Sequence, residues 1–309
     1  MKQTKNTTQI KNLKQSTHTK HEGKAIFLAI LAAAIYALNS PISKLLLDKL
    51  PAVMMAGLLY LGAGIGLLIV ALFRKLFKIP NSETSLNKSD IPFTLAMIVL
   101  DMAAPTFLMI GLTMTTAANA SLLNNFEIVA TSLIALFIFK EAISWRLWIG
   151  IILVTIASFI LSVEDLSSFS FSYGSIFVLL ACICWGIENN CTRKLSKRDP
   201  LQVVIVNGFC SGIGTLIIAA FKGDITFSIS YILLALLLGF LTYGLSIYLY
   251  IYAQRFLGAA KTSAYYSVTP FIGATLSLII FREMPSISFI VALIIMIAGT
   301  YFTSTDSRT

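Results

Sequence analysis

The sequence predicts an all-α membrane protein of ten transmembrane helices, arranged as two inverted repeats of five helices each. Three observations support this fold class: the composition, the number and length of the apolar segments, and a similarity between the two halves of the chain. Of the 309 residues, 57% are hydrophobic and only 12% are charged, whereas soluble domains carry about 45 to 50% apolar and about 25% charged residues. The chain is therefore expected to fold in lipid.

Ten apolar segments are long enough, at about 20 residues, to cross the hydrocarbon core of a bilayer as α-helices. Three of them contain an internal proline, at Pro41, Pro105 and Pro270. We expect kinks there, because neighbouring helices can satisfy the backbone groups that a proline leaves free. In chain order the predicted helices α1 to α10 span approximately residues 25–46, 52–73, 91–112, 116–140, 145–162, 174–193, 201–221, 231–253, 259–281 and 287–304.

The basic residues are distributed unevenly between the two sides of the predicted bundle. With the N-terminus placed in the cytoplasm, nineteen lysines and arginines fall inside, and only Lys44, Lys49, Lys222 and Arg282 fall outside. Cytoplasmic loops of membrane proteins carry such an excess of Lys and Arg. We therefore expect a multi-pass protein of the cell membrane with both termini in the cytoplasm, and the net charge of +9 needs no nucleic-acid partner.

Residues 1–24 form a polar, basic tail without aromatic residues. Such a composition cannot bury enough apolar surface to fold alone, so we expect a disordered cytoplasmic flank. After it, the chain divides into a first five-helix repeat at residues 25–163 and a second at residues 174–304.

The two repeats carry similar residue types at nearly constant spacing. Residues 36–39 (YALN) align with residues 185–188 (WGIE) at an offset of 149, and residues 117–141 align with residues 259–283 at an offset of 142. Because five is an odd number, the second repeat must cross the membrane in the opposite direction to the first. Inverted repeats of this kind are a recurrent plan of secondary transporters, whose substrate site lies near the bilayer midplane between the halves.

Four glycines in α2 and α7 have the small-xxx-small spacing that lets membrane helices approach closely: Gly62, Gly66, Gly208 and Gly212. We predict that they form helix contacts rather than line a substrate path. The GxGxG pattern that ends at Gly66 does not indicate a dinucleotide loop, because it lies inside an apolar segment with no strand before it.

Several motifs resemble those of the ten-helix EamA-type transporters in the drug/metabolite transporter superfamily. They are the run at residues 246–263 (SIYLYIYAQRFLGAAKTS), the pairs Thr269-Pro270 and Arg282-Glu283, and, in the first half, Lys140-Glu141 with residues 148–150 (WIG) beginning the next helix. The resemblance covers residues 25–304. It implies the fold described above and the export of amino acids, other metabolites or toxic compounds, without specifying which.

One departure from the family pattern is an acid in the middle of α4. Where the second half has Thr269-Pro270, the first has Glu127-Ile128. A charged side chain at the bilayer centre costs about 2.5 to 3.5 kcal/mol on insertion scales and nearly always faces a bundle interior or a wet pathway. We predict that Glu127 faces a central cavity and either binds a cationic group of the substrate or carries a coupling proton. The alternative is a structural acid, hydrogen-bonded to Asn124 or to a neighbouring helix.

Helical spacing places further polar residues beside Glu127. On a continuous helix, Ser121, Asn124, Glu127 and Thr131 lie along one face. On α9 the corresponding residues 263, 266, 269 and 273 are again small or polar. We therefore expect the two stripes to line one shared cavity.

Other candidates for substrate binding or coupling lie on neighbouring helices. Asp101 lies in the middle of α3, whereas Glu188 on α6 has an interfacial ion pair with Arg193 or Lys194 as its alternative. Aromatic rings can stack on an aromatic or cationic substrate, although packing is their more frequent role. The complete set of candidates is Glu127, Asn124, Asn125, Asp101, Asn39, Glu188, Trp185, Tyr265 and Tyr266.

Three function classes are compatible with these observations. The first is a secondary transporter, exporting amino acids or related small metabolites by alternating access. The second is a sensor or assembly factor without transport, and the third is a membrane-embedded enzyme. We do not expect an enzyme, because the H-E-x-x-H, G-x-S-x-G and P-loop motifs are absent from the sequence. We expect no metal and no cofactor. The expected partners are a small-molecule substrate, the lipid bilayer and, as one of two driving forces, protons; the chain is expected to be a monomer or homodimer.

Overall fold

The structure, a computed structural model, describes residues 23–78, 83–140, 143–165, 170–192, 195, 198–257, 262 and 265–304. Within these ranges nine helices are long and apolar enough to cross a membrane, and Thr269–Phe281 is a shorter apolar helix. The predicted fold class is therefore confirmed. The predicted disordered tail lies almost entirely outside the described residues.

The ten helices follow one another through short connections. A 3-10 turn, Lys88–Asp90, precedes α3, and an antiparallel pair of short strands, β1 (Val163–Asp165) and β2 (Ser170–Phe171), connects α5 to α6. The helices are α1 (Gly23–Leu46), α2 (Ala52–Leu76), α3 (Ile91–Met114), α4 (Ala117–Leu123 and Phe126–Phe139), α5 (Trp145–Ser162), α6 (Tyr173–Thr192), α7 (Pro200–Lys222), α8 (Ile229–Gly239, Phe240–Leu245 and Ser246–Leu257), α9 (Thr269–Phe281) and α10 (Ile287–Ser304).

Several helices are interrupted rather than simply kinked. A turn at Leu38 interrupts α1, so that Pro41 lies in the first turn of a new segment, where its missing N–H costs no hydrogen bond. Pro270 likewise lies at the start of α9, whereas Pro105 is inside α3. The middle of α8, Phe240–Leu245, is π-helical, a local form that is frequent at functional sites.

The helix α4 is broken at Asn124 and Asn125. The N–H groups of Glu127 and Ile128 donate to the carbonyl oxygens three residues back, those of Asn124 and Asn125, at 3.1 Å each. The sequence analysis treated the residues from 121 to 131 as one continuous helical face, and this assumption is wrong. The chain therefore forms a tighter turn, of the 3-10 type, immediately before Glu127.

The two halves pack against each other through corresponding helices. α2 lies against α7, α4 against α9, and α5 against α10, and in addition α3 packs on α6. Three helices of the first half, α2, α4 and α5, thus meet their counterparts in the second half, an arrangement that the symmetry of an inverted repeat permits. Large apolar side chains on the periphery, such as Leu72, Phe221 and Ile279, are 57%, 89% and 67% exposed, as expected for a surface that faces lipid.

All four glycines with small-xxx-small spacing lie at close contacts between helices. A Cβ atom on Gly208 would lie 2.5 Å from the Gly64 nitrogen, and one on Gly212 would lie 2.6 Å from the Leu61 nitrogen, so α7 meets the α2 backbone directly. Gly62 and Gly66 instead face α8, where a Cβ would overlap the Leu236 carbonyl and the Phe240 ring respectively. Thus α2 is packed between α7 and α8.

The loop between α2 and α3 is tied to the start of α7. The Arg198 Nε lies 2.9 Å from the Asp90 Oδ2, and the Asp199 N–H donates to the Thr84 carbonyl oxygen at 2.9 Å. The Leu86 N–H donates to the Gln202 side chain at 2.8 Å. These contacts hold the two halves together at one end of the α2–α7 pair.

Candidate functional site

Asp101 lies at the centre of a buried network that joins both halves. Its side chain is on α3 and the residue is 4% exposed. The Oδ2 accepts a hydrogen bond from the Asn207 Nδ2 on α7 at 2.6 Å, and the Ser211 Oγ lies 2.8 Å from the Asn207 Oδ1. The Tyr60 hydroxyl and the Trp185 indole N–H also hydrogen-bond with the carboxyl group. Asp101 is therefore surrounded by donors from α2, α6 and α7.

Glu127 makes a second contact between the halves. It is half-buried in the first turn after the break in α4, and its Oε1 accepts from the Asn189 Nδ2 on α6 at 2.7 Å. The same Asn189 nitrogen is 3.4 Å from the Thr131 Oγ1. The neighbouring Asn190 donates to the Thr131 carbonyl at 3.0 Å. Two consecutive asparagines of α6 thus hold the segment of α4 that carries Glu127.

Acidic groups predominate in this region. Asp101 and Glu127 are close enough for their charges to interact, and Tyr60 lies within the same electrostatic range of Asp101 and Glu188. In the part of the chain that the structure describes, no lysine or arginine forms an ion pair with Asp101 or Glu127. The region is therefore suited to attract positive charge.

Tyrosine rings from both halves lie next to the acidic residues. The Tyr243 ring, in the π-helical part of α8, lies 5.0 Å from the Tyr60 ring and 5.7 Å from the Tyr36 ring, centroid to centroid. The Tyr266 ring lies 6.0 Å from that of Tyr36 and 4.9 Å from that of Tyr250. Because Tyr60 hydrogen-bonds with Asp101 and its ring packs on that of Tyr243, the tyrosine rings and the acidic residues belong to one region.

Polar contacts orient the tyrosines. The Asn39 Nδ2 donates to the Tyr243 hydroxyl at 3.1 Å, and the Ser43 hydroxyl lies 3.3 Å from the Asn39 Oδ1. The Ser246 hydroxyl lies 3.2 Å from that of Tyr266. The interrupted part of α1 and the π-helical part of α8 therefore present matching polar groups to each other.

The structure brings most of the predicted site residues together, with exceptions. Asn125 is 2% exposed and turns toward α10, where its Oδ1 accepts from the Thr300 hydroxyl at 3.3 Å. Tyr265 is half-buried and is not among the described ring pairs of the tyrosine cluster. Asn124 remains beside the break, and its Oδ1 is buried without a hydrogen-bond partner in the described part of the chain.

Four important residues were not identified from the sequence: Tyr60, Asn189, Asn207 and Tyr243. A signal for one of them existed, because Asn207 and Ser211 are polar residues four positions apart in an otherwise apolar helix. Asn189 adjoins Glu188, which the sequence analysis did select. The two tyrosines carry no such signal, since aromatic residues are frequent in apolar segments.

A bundle of ten apolar helices with inverted halves and a polar centre defines an integral multi-pass membrane protein of the transporter class. The chain belongs to the EamA-like transporter family, whose sequence model matches residues 23–163 and 172–305. It is thus a membrane transporter.

Two individual proteins are similar to this chain. A protein of Methanothermobacter thermautotrophicus, described as an uncharacterized transporter, is 27% identical over 290 residues, which are 89% of this chain and 84% of that protein. A crystal structure of another protein covers 92% of this chain and 97% of its own, with a TM-score of 0.65 and 15% identity. The second similarity concerns the fold alone.

Proposed function

We propose that the protein is a secondary transporter of the cell membrane that exports amino acids or related small metabolites by alternating access, with Glu127 in the substrate path. The observation that carries this proposal is the 2.7 Å hydrogen bond from Asn189 to Glu127, which joins α4 of the first half to α6 of the second. A carboxylate at a contact between two inverted halves can respond to a ligand and to their relative movement at once.

The chemistry of Glu127 supports two roles. Among the described residues its Oε1 accepts from one neutral donor, Asn189, so an ammonium group of a substrate can add a stronger, charge-assisted hydrogen bond. A proton can instead neutralise the carboxylate, which removes the cost of a charge within the membrane. In both cases the loss of negative charge weakens the attraction that holds Asn189, and the two helices become freer to separate.

The variant Glu127→Gln tests this proposal, because it keeps the shape of the side chain and removes its titration. In proteoliposomes, a coupling role predicts that the variant loses accumulation driven by a pH gradient and retains substrate exchange. A role as substrate ligand predicts that both are lost. The matched control is Asp224→Asn, which changes an exposed acid that pairs with Lys222 at 3.4 Å. If purified Glu127→Gln folds normally and transports with the wild-type rate and pH dependence, Glu127 is a structural acid and the proposal fails.

The proposed orientation puts both termini and the loop that contains Ser85 in the cytoplasm, and the connection between α5 and α6 outside. It is supported by the distribution of basic residues. Single cysteines at Ser85, which is exposed, and at Ser168, which lies outside the described residues, are introduced into a cysteine-free background. In intact cells an impermeant maleimide should label position 168 and spare position 85. Equal or reversed labelling overturns the orientation.

A further inference from the structure

We propose that the substrate is an organic cation: a protonated amine that bears an apolar or aromatic group and no carboxylate. The inference rests on the proposed function, because it concerns the same site. Of the two substrate groups named there, it selects the related small metabolites that are amines and excludes the amino acids. It depends on two adjoining groups of residues. The acidic wall comprises Asp101 and Glu127 with Asn189 and Asn207, and the aromatic wall comprises Tyr36, Tyr243 and Tyr266.

The acidic wall lacks a compensating cation among the described residues. The hydrogen-bond partners of Asp101 are an amide, a phenol and an indole, and that of Glu127 is an amide. Neutral donors stabilise a carboxylate but leave its charge in place. Two acids whose charges act on each other are therefore better neutralised by a bound cation than by a neutral ligand.

The aromatic wall adds a second attraction for the same charge. A cation within about 6 Å of a tyrosine ring centroid is attracted by the negative face of the ring. The ring planes of Tyr36 and Tyr243 are inclined at 68°, and those of Tyr36 and Tyr266 at 49°. In such an inclined pair the edge of one ring meets a face of the other, and the edge-on ring keeps its own faces clear of its partner.

Two acceptor oxygens on α4 lack partners within the described part of the chain. The Ser121 Oγ, on a residue that is 3% exposed, and the Asn124 Oδ1 are both buried without a hydrogen bond. The Ser121 oxygen lies where α4 meets α9 and α1. A Cβ atom added to Gly273 of α9 would lie 3.0 Å from the Ser121 Oγ and 3.2 Å from the Ala37 carbonyl oxygen of α1. Buried acceptors of this kind are satisfied by a ligand that brings N–H groups.

Within the described part of the chain, a carboxylate on the ligand has no comparable partner. Lys44 lies near the end of α1, and its Nζ donates to the carbonyl oxygens of Leu112 and Thr115, where it caps the end of α3. Placed at the acidic wall, a carboxylate would meet like charge, which lowers affinity. The site therefore favours a cation over a zwitterion and a zwitterion over an anion.

The test is a matched series of three ligands with one phenyl ring: 2-phenylethylamine, L-phenylalanine and 3-phenylpropanoate. Dissociation constants are measured by equilibrium dialysis with the full chain in nanodiscs at neutral pH. We expect the amine to bind at least about tenfold more tightly than phenylalanine, and the propanoate to bind most weakly. Equal or tighter binding of phenylalanine or of the propanoate, or no binding of the amine, overturns the proposal.

Variants separate the contributions of the two walls. Asp101→Asn and Glu127→Gln should each weaken binding of the amine about tenfold or more, whereas Asp224→Asn should leave it unchanged. Tyr36→Phe keeps the ring and should bind within about twofold of wild type, whereas Tyr36→Leu should bind about three- to tenfold more weakly. The control for ring removal is Tyr173→Leu, since Tyr173 is 76% exposed. Binding of the amine that is insensitive to both Asp101→Asn and Glu127→Gln contradicts the assignment.

The outcomes distinguish this proposal from the proposed function. The ligand series on the wild-type protein requires no variant to fold, and it can fail while transport still depends on Glu127. If phenylalanine binds best and Glu127→Gln abolishes its exchange, the transporter function stands and the cation proposal falls. If the amine binds best and Glu127→Gln transports as wild type, the role of Glu127 falls and the charge preference stands.

Discussion

One residue of the acidic wall, Asp101, and one of the aromatic wall, Tyr243, occupy corresponding positions in the two halves of the bundle. Asp101 on α3 and Tyr243 on α8 are 142 residues apart, which is the offset that aligns α4 with α9, and Glu127 and Thr269 are separated by the same number. Asp101 accepts from Asn207, and the Tyr243 hydroxyl accepts from Asn39. At these corresponding positions both halves therefore have a side chain that accepts a hydrogen bond from an asparagine, but the side chain is a carboxylate in one half and a phenol in the other.

Backbone features are preserved where side chains are not. The carboxyl ends of α4 and α9 are both formed by a basic residue in the left-handed region, Lys140 with φ 58° and Arg282 with φ 53°. Turns also occur at similar positions, at Asn124 and Asn125 in one half and at Ser267 and Val268 in the other. The repeated features are those that determine where each helix begins and ends.

Two helices differ more strongly between the halves. α1 is interrupted at Leu38, whereas its counterpart α6 is described as continuous from Tyr173 to Thr192. α8 contains a π-helical turn, and its counterpart α3 contains Pro105 instead. A π-turn shifts the side chains that follow it around the helix axis, so Tyr243 and Asp101 need not point in equivalent directions. This asymmetry allows one wall to present rings and the other to present carboxylates.

The two halves can be compared only in a folded bundle, and α2 and α7 hold that bundle together. Gly212→Leu in α7 should produce the largest effect, a severe loss of folded protein, because even a Cβ at this position would lie 2.6 Å from the Leu61 nitrogen of α2. Overpacking by single groups already costs about 1 to 3 kcal/mol, and a leucine adds four carbons. The yield of monodisperse protein in detergent and its thermal midpoint measure the effect.

The control for this variant is Gly23→Leu, since a Cβ on Gly23 has no atom within 4 Å among the described residues. Gly66→Leu should also reduce folding, less severely, because its obstacle is the Phe240 side chain, which can move. Unchanged folding of Gly212→Leu together with an altered substrate preference would show that this glycine lines the substrate path.

The second prediction compares the two walls at corresponding positions. Asp101→Asn should lower the transport rate about tenfold or more, because it removes a charge within the membrane-embedded site. Tyr243→Phe should lower it by about threefold or less, because it keeps the ring and removes one neutral hydrogen bond, of about 1 kcal/mol. Initial rates in proteoliposomes measure both, at equal amounts of reconstituted protein. If the two substitutions have equal effects, the division between an acidic and an aromatic wall is not functional.

The smallest expected effect concerns the features that the two halves share. Lys140→Gly and Arg282→Gly should each leave stability unchanged or raise it by up to about 1 kcal/mol, because glycine adopts positive φ without the steric cost borne by other residues. The thermal midpoints of the two variants should shift in the same direction and by similar amounts. A clear destabilisation by one substitution alone would show that its side chain has a role its counterpart lacks.

The sequence by itself determined the properties that depend on local composition and spacing. The hydropathy of each segment predicts the ten helices because a bilayer requires about 20 apolar residues for each crossing. The similarity of residues 117–141 to residues 259–283 predicts the inverted repeat, and the cost of an acid in lipid identifies Glu127 and Asp101 as unusual. None of these inferences requires knowing which helices touch.

Only the tertiary structure decided which residues meet. The break at Asn124 and Asn125 rotates the two parts of α4, so that Asn125 contacts Thr300 on α10 while Glu127 contacts Asn189 on α6. Gly62 and Gly208 share one spacing pattern, yet one faces α8 and the other faces α2. The physical reason is that such pairings depend on the rotation and depth of each helix within the bundle. Contacts between residues far apart in the sequence determine these quantities, whereas the local periodicity of a segment does not.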